Sequence, residues 1–247
     1  MADTEYRWNQ PEAVVAYDAA APIIHPRYLA VQDQVLAAIP FRSGEPFRVL
    51  DLGGGSGRLG ERILREFPAA SLVLVDQSDA FLSLAKERLS PFDGRAACLH
   101  RRLQDDWQNE TTPVDLIVST SAIHHLEGSE KQGLFQRCYE ALSPGGVLIN
   151  GDEYRPKDDE TFRQLLDDWG QHMERSLAAG TIPETFAPTV ESWKKRNLDG
   201  FGSPPKSGDD CQETIEAQLD RLRAVGFTSC RAAWSDALWA VLVAARS

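Results

Sequence analysis

Short apolar runs alternate with stretches of helical spacing from residue 47 to residue 151, and that alternation predicts right-handed βαβ units on a parallel sheet. Residues 47–52 are the expected first strand, and 57–67 a helix with Leu59, Ile63 and Leu64 on one face. The run S-L-V-L-V-D at 71–76 reads as a buried strand ending on an acid. Residues 79–89 follow as a helix, 95–101 as a weaker strand and 115–120 as a stronger one. Residues 129–142 form a helix stopped by Ser143-Pro144-Gly145-Gly146, and 146–151 the fifth strand.

Regularity lapses over 152–210, a stretch rich in acids, aromatics and Pro-Gly breaks. It is too long for an ordinary connection and is expected to be an inserted helical cap. Residues 213–225 return to helical spacing with Ile215, Leu219, Leu222 and Val225 on one stripe, and Gly226 stands where a left-handed C-terminal cap belongs. Strands at 229–234 and 238–245 are close enough to pair as an antiparallel hairpin. Two short helices precede the first strand, one over 27–39 with Tyr28, Val31, Val35 and Ile39 on one side. The expected division is a helical lid (1–44), an α/β domain (45–151 and 211–247) and the cap (152–210).

Composition narrows the class. A chain of 247 residues, 42% hydrophobic and 26% charged, can bury a sizeable core, which excludes disordered and fibrous proteins. With 26 Lys plus Arg against 37 Asp plus Glu, the net charge of −11 repels a phosphate backbone and disfavours nucleic acid as a partner. No window approaches the roughly 20 apolar residues of a membrane span, and the start lacks the pattern of a secretion signal, so a cytoplasmic location without a membrane partner is expected. Cys98, Cys138, Cys211 and Cys230 are widely spaced with no C-x-x-C pair and read as reduced thiols. A homodimer is left open.

The chemistry starts at V-L-D-L-G-G-G-S-G, residues 49–57, an apolar strand running into a glycine-rich turn that opens a helix. Glycine lets a ligand approach the backbone closely, and the helix start offers unpaired N–H groups. Asp76 closes the next strand, where an acid can take both hydroxyls of a ribose. Together they describe an adenosine-bearing ligand across the carboxyl ends of the strands. Gly55-Ser56-Gly57-Arg58-Leu59-Gly60 also satisfies the dinucleotide pattern, but Asp51 beside the loop and the terminal strand hairpin argue against a nicotinamide cofactor. A ligand with a cationic end suits Asp51 better.

On these residues, together with V-D-L-I-V-S at 114–119, S-A-I-H-H-L at 121–126, L-S-P-G-G at 142–146 and A-V-G-F at 224–227, the chain resembles class I S-adenosylmethionine-dependent methyltransferases over about residues 45–247. The resemblance implies a Rossmann-like, doubly wound sheet of seven strands in the order 3-2-1-4-5-7-6, the last antiparallel, with S-adenosyl-L-methionine as cofactor. It implies that Asp51 with Gly53, Gly54 and Gly55 holds the methionine end and Asp76 the ribose. Gln77 would lie against the adenine and Ser119 beside the methionine moiety. Relatives carry an acid after the third strand where this chain has Arg102, so the adenine contact is expected from the Leu103 backbone with Asp105 nearby. More loosely, Pro26-Arg27-Tyr28, Lys194-Lys195-Arg196 and the hairpin are similar to carboxy-S-adenosylmethionine synthases, which makes Tyr28 a candidate to close over the cofactor carboxylate.

Candidate catalytic residues are His124, Asp152, Tyr154 and Arg196. An imidazole can take a proton from an attacking oxygen or nitrogen, although a histidine packed under the cofactor gives the same sequence. Asp152-Glu153-Tyr154 leaves the fifth strand and is expected to face the acceptor, and Arg196 could clasp a carboxylate. Trp169, Trp193, Phe186 and Phe201 serve either an acceptor or the core of the cap. A metal site from His124, Asp152 and Glu153 is not expected, because adjacent histidines should point apart. The expected function is methyl transfer to a small-molecule acceptor. The alternatives are a carboxy-S-adenosylmethionine synthase-like enzyme and a non-catalytic protein that holds the same cofactor.

Overall fold

In the computed structural model, which describes residues 10–247, seven strands form one sheet. They are β1 (Arg48–Leu52), β2 (Ser71–Asp76), β3 (Ala96–His100), β4 (Val114–Thr120), β5 (Leu142–Glu153), β6 (Thr228–Asp236) and β7 (Trp239–Ala245). Their order is β3-β2-β1-β4-β5-β7-β6, with β7 antiparallel to both of its neighbours and the other pairs parallel. This is the order that the resemblance implies. Residues 1–9 of the expected lid lie outside the described residues.

Period-two alternation divides the strands between two apolar layers. Val49, Leu72, Leu74, Leu116, Val118, Ile149 and Val241 face one layer. Leu50, Leu52, Val75, Ile117, Leu148 and Leu242 face the other. The first layer is closed by helices α1 (Pro11–Ile24), α2 (Tyr28–Ala38), α3 (Arg58–Glu66) and α4 (Asp79–Leu89). The second is closed by the region of α5 (Gln108–Thr111), by α6 (Gly128–Ala141) and by α9 (Ile215–Ala224). The segment expected as a cap contains α7 (Asp159–Ala178), α8 (Ala187–Lys194) and a π-helical turn at Lys195–Asp199.

Helix α2, within the expected lid, lies on β5 so closely that a Cβ on Gly151 would come 2.6 Å from Val31 Cγ1. β5 is longer than the expected 146–151: it runs on to Glu153 because β7 continues to pair with it, Asp152 opposite Ala240 and Glu153 opposite Trp239. The cap aromatics Trp169, Trp193 and Phe186 are buried, and Trp169 stacks within 5.0 Å of both Trp193 and Trp239 while donating to Ile24 O at 2.7 Å. They tie α7 and α8 to the sheet and to α1.

Candidate functional site

The carboxyl ends of β1, β2 and β4 open on a groove of about 680 Å³ floored by the turn Gly53–Gly55. Gly53 has φ +67°, and a Cβ there would lie 2.4 Å from that of Ala122, so only glycine lets the turn pass. Gly55 has φ +54° and its missing side chain leaves open groove, with Phe81 the nearest atom at 3.9 Å. Asp76 ends β2 on the groove wall. Its Oδ2 accepts the Gly55 N–H at 2.9 Å and its Oδ1 the Ser78 N–H at 2.8 Å. Burial raises its carboxyl above the ordinary value despite those bonds.

Helix α1 forms the facing wall. Asp18 receives Arg58 and Arg88, each within 3.0 Å, and the Ser56 hydroxyl. Burial raises its pKa, but the bonds from Arg88 and Arg58 outweigh that and hold it low. Tyr17 and Tyr28 complete the wall, and burial raises the Tyr28 phenol. Nothing in the sequence reading singled out Asp18, whose role is visible only once α1 lies across the glycine turn.

The expected cofactor residues divide. Tyr28, Gly53, Gly54, Gly55, Asp76, Gln77 and Leu103 line the groove. Asp51 does not: alternation from Val49 turns it onto the face covered by α3, where it is fully buried and both carboxylate oxygens lack partners. One of those oxygens would lie 2.8 Å from a Cβ on Gly54, so the carboxylate sits directly beneath the turn. Burial, with Asp76 close by, pushes its pKa up to about 7. Ser119 is also buried away from the groove, its hydroxyl donating to Leu52 O at 2.8 Å, and Thr120 and Ser121 line the groove in its place. The Leu103 carbonyl is occupied by Arg137 and Trp107, which leaves its side chain on the groove wall.

A second cavity of about 280 Å³ adjoins the groove, with Tyr17, Ser121 and His125 lining both. Its walls are Trp169, Trp193, Phe186 and Met173, and its polar end gathers His25, His124, His125, Glu153 and Asp210. Of the expected triplet only Glu153 lines this cavity. Because β5 stays extended, Asp152 and Tyr154 fall on the opposite face, and the Tyr154 hydroxyl accepts from Asn150 at 3.0 Å. Asp152 instead holds His124 from behind, receiving Nδ1 at 2.6 Å and the backbone N–H at 2.9 Å. Burial alone would depress the His124 imidazole, but Glu153 and Asp152 push it up to about 9. Arg196 stands in the cavity wall with Nη1 donating to Ser192 Oγ at 2.9 Å.

The two histidines do not point apart. A 3-10 turn at Ile123–His125 sets their rings 4.0 Å from one another at 57°. The end of the cap is clipped to that turn by backbone bonds, Gly208 N–H to His125 O and Cys211 N–H to His124 O, both 2.8 Å. This brings Asp210 Oδ1 to 3.5 Å from His125 Nδ1 and 3.9 Å from His124 Nε2. His25, which carried no signal in the sequence, ends α1 beside Glu153 with Nδ1 3.5 Å from Oε1.

Sheet order, glycine turn and terminal acid of β2 define a Rossmann-like fold. Residues 50–148 match the family model described as "Methyltransferase domain". Over 117 residues the chain is 35% identical to a trans-aconitate 2-methyltransferase of Variovorax paradoxus, a match covering 47% of this chain and 41% of that protein. Over 123 residues it is 26% identical to a carboxy-S-adenosyl-L-methionine synthase of Actinobacillus succinogenes, covering 49% and 52%. The matches thus span about half the length of these curated relatives. Among solved structures, human N-acetylserotonin methyltransferase in complex with SAM superposes with TM-score 0.65 at 16% identity, covering 99% of this chain and 59% of that one. PigF with SAH gives 0.63 at 16%, covering 97% and 61%. At such identity these two share the fold.

Proposed function

We propose that this chain is an S-adenosylmethionine-dependent methyltransferase acting on a small molecule enclosed in the 280 Å³ cavity. The observation that carries the reading is the continuity of groove and cavity through Tyr17, Ser121 and His125. The groove residues fit the cofactor. Gly55 leaves room for a close approach, the oxygens of Asp76 lie at the groove wall, and the unpartnered Asp51 carboxylate beneath the turn favours positive charge above it. When bound, the cofactor supplies an electrophilic methyl on a sulfonium.

The chain's own task is alignment and exclusion of water. Asp76 would take the ribose hydroxyls while bracing Gly55. Tyr17, Asp18 and Tyr28 on α1 and α2 would close the groove, and Trp169, Trp193 and Phe186 would shape the acceptor space. Glu153 Oε1 is buried and lacks a hydrogen-bond partner, which makes it the atom suited to receive an acceptor's proton, with His25 Nδ1 behind it. Four free thiols suit the reducing cytoplasm, and no described helix is long and apolar enough to cross a membrane.

Calorimetry tests the reading. S-adenosylhomocysteine should bind in the micromolar range and NAD only weakly, and the reverse order would overturn it. A carboxy-S-adenosylmethionine synthase-like role is the second reading, favoured by the presence of Arg196 in the cavity. Mass spectrometry of the molecules that co-purify separates the two: carboxylated cofactor supports the second, unmodified cofactor the first.

A further inference from the structure

The polar end of the second cavity holds more donor groups than methyl transfer requires. One ring nitrogen each of His124 and His125 and one carboxylate oxygen of Asp210 lie within 4.8 Å of one another, on two segments fixed together by the backbone bonds at Gly208 and Cys211. Four bonds of about 2.05 Å in a tetrahedron place donors roughly 3.3 Å apart, so the 3.5 Å and 3.9 Å separations to Asp210 need a small contraction and the histidines, within 4.8 Å of one another, a turn of their rings. Two imidazoles and one carboxylate on one side of an open space is the donor set of non-haem divalent metal centres.

Two independent observations point to an ion. Asp152, fully buried, binds His124 Nδ1 at 2.6 Å, which leaves Nε2 as the nitrogen turned toward Asp210. A carboxylate behind a ligating histidine is the usual support of a metal site. Glu153 is 2% exposed, its Oε1 has no hydrogen-bond partner, and its Oε2 lies 3.8 Å from His124 Nε2. Glu153 and Asp210 thus line this end of the cavity, with the buried Asp152 behind His124.

We infer that His124, His125 and Asp210 form a binding site for one first-row divalent transition metal, with Glu153 beside its open coordination positions. Imidazole ligands favour zinc, iron, nickel or cobalt over magnesium and calcium. Asp210 keeps its Oδ2 bond from Asn197 at 2.7 Å, and the donating atom is Oδ1. His125 Nδ1 donates to Asp209 O at 3.1 Å in this structure, so ligation through it exchanges that bond for the metal and moves the ring proton to Nε2. The open positions face the cavity, so an acceptor oxygen or nitrogen could complete the coordination. The site stands whether or not the methyl-transfer reading does.

The test uses the full chain stripped with a chelator and titrated with zinc chloride alone in a calorimeter, then with cobalt(II) while recording visible absorption. One equivalent of zinc should bind in the micromolar range or tighter, cobalt should give ligand-field bands, and magnesium should give no saturable heat. His125→Gln and Asp152→Asn should each weaken zinc roughly tenfold or more. Unchanged circular dichroism and urea unfolding in those variants keep misfolding apart from ligand loss. No saturable zinc binding, or zinc binding unaffected by both substitutions, overturns the inference.

Discussion

Asp51→Asn isolates the cost of placing a carboxylate beneath the glycine turn. The side chain is fully buried, neither oxygen has a hydrogen-bond partner, and Asp76 stands on the same side of the sheet edge. Together these push its pKa from 3.8 to about 7. Below pH 3.8 the group is protonated in both folded and unfolded chains and contributes nothing to the pH dependence. Between there and pH 7 the folded chain retains a proton that the unfolded chain releases, so stability declines as pH rises. Above pH 7 the full penalty is present: about three pKa units at 1.36 kcal/mol each, or about 4 kcal/mol.

Asparagine keeps the shape and removes the titration. Its own buried amide carries a cost that does not depend on pH, so the informative quantity is the change in ΔΔG between pH 5 and pH 8. The wild-type chain should lose about 3 kcal/mol relative to Asp51→Asn over that interval. Urea unfolding followed by circular dichroism at four or five pH values measures it. A difference flat to within about 0.5 kcal/mol would mean that Asp51 is ionised at little cost, through ordered water or movement of the turn, and would refute the burial argument.

Asp76→Asn should weaken S-adenosylhomocysteine at least tenfold by calorimetry, since charge-assisted hydrogen bonds contribute roughly 1.5–3 kcal/mol each; unchanged affinity would misplace the ribose. Glu153→Gln should lower turnover by about 10²–10⁴ while cofactor affinity holds, and a wild-type rate would remove it as the proton acceptor. Gly151→Ala should cost roughly 1–3 kcal/mol in urea unfolding, because its Cβ would meet Val31 at 2.6 Å and Val35 at 2.9 Å. No loss would show that α2 shifts freely on β5.

The sheet and the groove at its carboxyl edge were legible because their signals are local. The glycine turn, the acid ending β2 and the helix stops each occupy a few consecutive residues, and strand order follows from a resemblance that those motifs carry. The differences in side-chain placement have equally local causes. Counting alternation from Val49 would have placed Asp51 under α3 instead of in the groove. Ending β5 at residue 151 released Asp152, Glu153 and Tyr154 from the period-two rule, whereas two more paired residues send them to opposite faces. Adjacent histidines do diverge in a strand; in a 3-10 turn fastened to residues 208 and 211 they converge. His25, Asp18 and Asp210 were invisible because the site partners Glu153, Ser56 and His125 on which they act lie at least 38 positions away along the chain.

That distribution also limits what the relatives can say about the acceptor. The methyltransferase domain match ends at residue 148, so it contains the glycine turn, Asp76 and the His124–His125 turn. His25, Glu153, Trp169, Trp193, Arg196 and Asp210 all lie outside it. The parts of the cavity that would choose an acceptor therefore come from α1 and the cap, and the relatives' named acceptors do not transfer with the match. The cavity has its own preference. An acceptor bearing several carboxylates would meet Glu153 and Asp210 at the polar end, with Arg196 the cavity's only Lys or Arg among the described residues. Juxtaposed like charges cost several kcal/mol. A neutral or cationic acceptor with an apolar body meets aromatic walls and an acidic end instead, and a divalent ion between the histidines and Asp210 would extend that range to acceptors with a metal-binding oxygen.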